Sequence, residues 1–308
     1  MKSVNELTMR LDGRLGLGLT LAASLLGLSL LSASSQAQEA CLNDVADFNN
    51  AVCTANDVRI SRINVLGGPT ECSEGQMVTI NTLQAELLGG AKKRYDIGMY
   101  LGTDGGDAKT SVSGMKDGCR RDFLPLDEGF DDLDYDQCGD ISQGVLETRQ
   151  LADLTLECQD TDGDGFLDIG TCLSWDNNSK DVCTGIEDVV PGTPSKCRCE
   201  PVRVGDITVT PKGTIIVEKQ IDDNNPSDDT FAFTGDASGS IGDDEEIIVN
   251  GLDAGMYTST EEDSPFYGLT DISCDDDDSF GDTNTRTATF YVSEGETVRC
   301  TFTNSPAR

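Results

Sequence analysis

The chain has 308 residues, 22 Lys and Arg against 56 Asp and Glu, no histidine, and a net charge of −34. Without histidine there is no Ser–His–Asp or Cys–His nucleophile system and no histidine-ligated zinc, haem or copper. Nucleic-acid binding rests on Lys and Arg neutralising phosphates, so this charge excludes DNA and RNA as partners.

Lys2, Arg10 and Arg14 precede an apolar stretch from Leu15 to Leu31, and Ser35, Gln36 and Ala37 present small residues to a signal peptidase. Residues 1–37 therefore read as a cleaved secretory signal peptide. The apolar run is short and interrupted by glycine, so no stable membrane span is expected after cleavage. The product is expected to be secreted or held at the cell surface, with the periplasm as the alternative compartment. Twelve cysteines in an exported chain read as disulfides.

Past the signal, helical periodicity is scarce. A short helix is predicted from Leu42 to Ala51, with Asp44 in its first turn. The rest alternates with period 2 between Gly-, Asp- and Asn-rich turns, the mark of a sandwich. Strands are predicted at 58–60, 63–65, 77–87, 95–101, 145–158, 167–175 and 199–209. Pro211 and Gly213 then bracket a short linker that separates ten cysteines from two. Beyond it seven strands are predicted, at 214–221, 230–235, 246–250, 256–262, 266–274, 285–292 and 297–304. The fold class is all-β: two β-sandwich domains, a Cys-rich one at 38–212 and a second at 213–308.

The sharpest local pattern lies in the first domain. Asp160, Asp162, Asp164 and Asp168 place carboxylates at alternate positions, Gly165 allows a sharp turn, and Phe166 offers a backbone carbonyl. Such a loop can wrap a hard cation, and Ca2+ is the expected cofactor. The twelfth position is Thr171 rather than a bidentate glutamate, and the flanks alternate as strands. The loop is thus not an EF-hand; it resembles the calcium loops of thrombospondin type 3 repeats. A weaker copy, Asp132, Asp134, Asp136 and Asp140, has Gln137 where the glycine should be. Cys158 and Cys172 flank the first loop and are the favoured local disulfide; the pairing of the other N-domain cysteines stays open. Cys274 is in phase with Ile272, and Cys300 with Val298 and Phe302, so both point inward and should pair.

Gly213-Thr-Ile-Ile-Val-Glu-Lys219, Leu252-Asp-Ala-Gly255-Met-Tyr257-Thr-Ser-Thr-Glu261 and Gly295-Glu-Thr-Val-Arg-Cys300-Thr-Phe-Thr-Asn304 follow one another in order. With them, residues 213–308 resemble the prealbumin-like (SpaA/CnaB-type) β-sandwich modules of bacterial surface proteins. The resemblance implies a stalk, spacer or adhesion module. It also implies an intramolecular isopeptide bond between Lys219 and Asn304, assisted by Glu261. Phase agrees: Lys219 follows Ile215 and Val217, and Asn304 follows Cys300 and Phe302. Arg94 to Gly98, Thr103 to Gly106, Cys138 to Ile141 and Cys158 to Trp175 make the first domain resemble a Cys-rich module of exported bacterial proteins, to which no activity attaches.

The function expected from these features is a non-enzymatic surface or extracellular structural or adhesion protein, stabilised by disulfides and calcium, with a protein or glycan surface partner. Paired carboxylates alone could also serve an exported hydrolase, for example one directed at glycans. An acidic cation-binding protein of a saline habitat is the third reading.

Overall fold

The computed structural model describes residues 38–45, 52–179, 182–190, 196–222 and 229–307. The expected signal peptide, and residues 46–51 of the expected helix, lie outside the described residues.

Ten strands precede the linker: β1 Gln38–Glu39, β2 Val58–Gly67, β3 Glu71–Ser73, β4 Met77–Gly89, β5 Lys93–Gly102, β6 Cys119–Phe123, β7 Ile141–Ser142, β8 Leu146–Glu157, β9 Phe166–Asp176 and β10 Cys197–Thr210. One short helix, α1 Leu42–Val45, follows β1. The strands form one sheet in the order β1-β6-β5-β9-β10-β2-β4-β8, with β3 on β10 and β7 on β5. The sheet folds over on itself. Ile60 and Ile63 of β2, Leu83 and Leu87 of β4 and Leu154 of β8 share one buried cluster with Met99 of β5, Ile169 and Trp175 of β9 and Val204 of β10. Alternation produces this directly, since side chains two apart on a strand reach the same face. The two predicted strands 58–60 and 63–65 are one strand, β2, whose pairing with β4 slips between Ile60 and Arg62. That bulge reverses the inward phase midway and makes one strand look like two.

Nine strands follow: β11 Gly213–Ile221, β12 Phe231–Gly235, β13 Gly239–Ile241, β14 Glu246–Leu252, β15 Gly255–Glu261, β16 Tyr267–Cys274, β17 Phe280–Asp282, β18 Thr287–Val292 and β19 Thr297–Pro306. The three-residue β13 and β17 carry too short a pattern to read from sequence. One sheet runs β14-β11-β19-β16 and the other β13-β12-β15-β18-β17. Between them Ile215, Val217, Cys300 and Phe302 pack with Phe231, Phe233, Phe290 and Val292. Phe233 meets Phe302 edge to face at 5.1 Å, an arrangement that adds to area burial. β11 and β19 lie parallel at the sheet centre, pairing Lys219 with Phe302 and Ile221 with Asn304.

Six disulfides join Cys41–Cys119, Cys53–Cys197, Cys72–Cys158, Cys138–Cys183, Cys172–Cys199 and Cys274–Cys300. The expected Cys158–Cys172 pair is corrected. Cys158 directly follows β8, which among the described strands pairs with β4, whereas Cys172 sits mid-strand in β9, directly opposite Cys199 of β10. The loop between β8 and β9 crosses from one layer to the other, so closeness in sequence is not closeness in space. Cys197 and Cys199 likewise part company, because two bonds with distinct partners replace any local dithiol.

Candidate functional site

Three strands bring a lysine, a glutamate and an asparagine into the core between the C-terminal sheets. Lys219 of β11 and Asn304 of β19 are 0% exposed, and Glu261, the last residue of β15, is 1% exposed. The Lys219 Nζ lies 3.9 Å from Glu261 Oε2 and donates to the carbonyls of Phe302 at 3.0 Å and Gln220 at 2.6 Å. It also stands 4.3 Å from the centre of the Phe231 ring. Asn304 Nδ2 donates to Glu261 Oε1 at 2.8 Å. Two buried acceptors, Glu261 Oε2 and Asn304 Oδ1, have no hydrogen-bond partner among the described residues. Burial pushes the Lys219 amine down to about 8, against the opposing pull of Glu261.

This geometry suits amide formation. A lysine is nucleophilic only when neutral, and burial supplies that state. The carboxylate touches the amide and stands beside the amine, where a proton can move from Nζ to Nδ2. Arg286 is a fourth member that sequence reasoning missed: its Nη2 donates to Glu261 Oε1 at 2.5 Å and its Nε to the Glu261 carbonyl at 3.0 Å. It sits in the turn before β18 with φ +59°, although the sequence pattern places it inside a strand at 285–292, in phase with Ala288 and Phe290.

The first Asp-rich loop is only partly gathered. Carboxylate oxygens of Asp160, Asp162 and Asp168 lie within 4.8 Å of one another. Asp160 accepts backbone N–H bonds from Gly163, Asp164 and Gly165, the last of which holds its carboxyl below the usual range. Gly163 and Gly165 have φ of +78° and +85°, the left-handed backbone such a tight loop requires. Asp168 is buried and accepts from the Thr161 N–H and hydroxyl. Asp164 is not in this group of three; it accepts from the Phe166 N–H at 3.0 Å and its Oδ2 lies 3.5 Å from Arg203 Nη1. Phe166 begins β9 with its ring beneath the Arg203 guanidinium, 3.2 Å from carbon to ring centre.

The second loop is more enclosed. Oxygens of Asp132, Asp134 and Asp140 cluster within 4.8 Å, and so do those of Asp134, Asp136 and Asp96. Asp96, from β5, was missed. It is 36 or more positions upstream of the loop, and its sequence neighbours Arg94, Tyr95 and Ile97 carry no acidic pattern. Burial, followed by Asp136, Asp134 and Asp140, pushes its carboxyl up to about 8. Asp140 is pushed up to about 7, first by burial and, against two backbone N–H bonds, by Asp134 and Asp136.

Residues 215–306 match the family model SpaA_4, described as a prealbumin-like fold domain. Among solved structures, an adhesin from Mobiluncus mulieris containing intramolecular disulfide, isopeptide and ester bond cross-links is 10% identical, with 75% of this chain and 91% of that chain covered and a TM-score of 0.29. BcpA, the major pilin subunit of Bacillus cereus, is 11% identical, with 81% and 70% covered and a TM-score of 0.31. At these scores the likeness adds nothing to the assignment of the C-terminal domain, which rests on the family match. A search of curated proteins returned no match.

Proposed function

We propose, for a chain whose residues 215–306 belong to the prealbumin-like fold family, a structural or adhesion component of the cell surface that crosslinks itself once and catalyses nothing else. The observation that carries this reading is the fully buried contact of Lys219, Glu261 and Asn304. Nζ bonds to Cγ of Asn304, the Cγ–Nδ2 bond breaks, a proton from Nζ passes by way of Glu261 to Nδ2, and ammonia leaves. The reaction replaces a buried amine, costly wherever it is charged, with a neutral amide. Together with six disulfides, such a bond suits an extracellular part that must hold its shape before meeting a protein or glycan partner. The intact mass of the purified protein is expected to fall short of the sequence mass, corrected for disulfides and processing, by one ammonia. Glu261→Ala should restore it, and full mass in the unsubstituted protein rejects the bond.

Calcium in the Asp160–Asp168 loop belongs to the same reading, supported by the three gathered carboxylates. Calorimetric titration is expected to show a calcium-binding event that Asp162→Ala abolishes. Identical titrations of the two proteins would remove that loop from the proposal.

A further inference from the structure

We infer that Asp96, reaching across from β5, completes a second and better-enclosed calcium site with Asp132, Asp134, Asp136 and Asp140. The inference goes beyond the structural reading above and does not depend on the Lys219–Asn304 bond.

The independent observation is Asp96 itself. It is 3% exposed, and its Oδ1 has no hydrogen-bond partner among the described residues. An oxygen of this side chain lies within 4.8 Å of oxygens from both Asp134 and Asp136. An ionised carboxylate with a buried, unpartnered oxygen set against two others costs several kcal/mol unless something positive sits between them. None of the ion pairs among the described residues engages Asp96, Asp132, Asp134, Asp136 or Asp140. A solvated acidic turn would spread its carboxylates into water. Here Asp140 is 0% exposed, and both oxygens of Asp134 are buried without a hydrogen-bond partner from another side chain among the described residues.

The backbone holds the arrangement in place. The β5–β9 register breaks between Tyr95 and Gly98, and Asp96 adopts φ +57°, a left-handed conformation that aspartate tolerates better than most residues. Its own N–H donates to Asp140 Oδ1 at 3.0 Å, while Leu133 donates to Asp140 Oδ2 at 2.6 Å. Asp136 accepts from the N–H groups of Cys138 and Cys183, the two residues of one disulfide. The oxygens of Asp140 and Asp136 are thereby aimed before any ion arrives. Asp134 belongs to both groups of three and stands at their centre.

The donor set selects the ion. All cysteines are in disulfides and there is no histidine, so only oxygen is on offer. Two ligands of one calcium, each about 2.4 Å from it, lie at most about 5 Å apart, a limit that each group of three satisfies by itself, with Asp134 shared between them. Carboxylates gathered in this way suit calcium, with its six to eight oxygens in loose geometry; magnesium keeps several waters and a strict octahedron.

The test uses the full-length protein carrying Asp162→Ala, so that the first loop is silent. Calcium titration should still show one binding event, and calcium should raise the melting temperature relative to chelator. Adding Asp96→Asn should weaken that binding at least tenfold. It should also remove most of the calcium-dependent rise in melting temperature. Asp134→Asn, at a residue whose side-chain oxygens have no side-chain partner among the described residues, should weaken binding equally and decides the matter if the Asp96 variant fails to fold. Unchanged affinity in either folded variant, or no calcium response in the Asp162→Ala protein, overturns the site. Magnesium binding as tightly as calcium overturns the choice of ion.

Discussion

Replacing Lys219 by methionine is expected to lower the melting temperature of the C-terminal domain by roughly 15 °C or more. The proposed bond closes a loop of about 85 residues between β11 and β19, which the chain-entropy model values at about 4–5 kcal/mol. The Cys274–Cys300 disulfide is nested within that loop and takes a small share of the effect. For a domain of this size each kcal/mol moves the midpoint by about 4–8 °C. The size of the result separates the bond from its alternative. Removing one partner of a buried ion pair is itself destabilising, but Arg286 still donates to Glu261 Oε1 after the substitution, so an ion-paired lysine alone should cost less than the lost loop closure. A much smaller drop therefore counts against the crosslink. The rate should depend on pH as well. With the amine pushed down to about 8, the neutral nucleophile grows as pH rises toward and through that value. Protein refolded at pH 9 should lose ammonia faster than protein refolded at pH 6.

Asp122→Ala should have the second-largest effect, in the first domain. Arg149 of β8 is 4% exposed and Asp122 of β6 is 1% exposed. Arg149 donates to Asp122 Oδ1 from Nη2 at 2.9 Å and from Nε at 3.2 Å, and its Nη1 pairs with Glu128. Removing Asp122 leaves a buried guanidinium with only a partly exposed partner. Breaking a buried pair in this way costs about 3–5 kcal/mol, or roughly 10 °C in a domain of about 170 residues. The double variant Asp122→Leu with Arg149→Met should recover much of that loss, because well-packed apolar residues replace a pair that was costly to desolvate. If the single and double variants melt together, the pair does not matter to stability.

Much of the architecture was legible because it depends on period 2. The runs that form β4, β9, β11 and β19 alternate or stay apolar over nine or more residues, and their inward phase by itself places Lys219 and Asn304 in the core. Legibility failed where a bulge reset the phase, as at Ser61 in β2, and where strands were three residues long. At Asp164 the spacing alone does not show that Arg203 of β10 comes within 3.5 Å of its side chain. Spacing along the chain describes which groups could converge, and a competing partner from another strand decides whether they do.

The amino-acid sequence by itself determined that no histidine chemistry occurs, that the fold is all-β, and which face of each long strand is buried, because these follow from composition and the alternation of side chains along an extended chain. Tertiary structure alone decided that Cys158 pairs with Cys72 and Cys172 with Cys199, that Arg286 holds Glu261, and that Asp96 meets Asp134. Each of these joins residues from elements with no shared periodicity. Strand order and the aim of a bulge, set by packing the whole sheet, are what bring such residues within bonding distance.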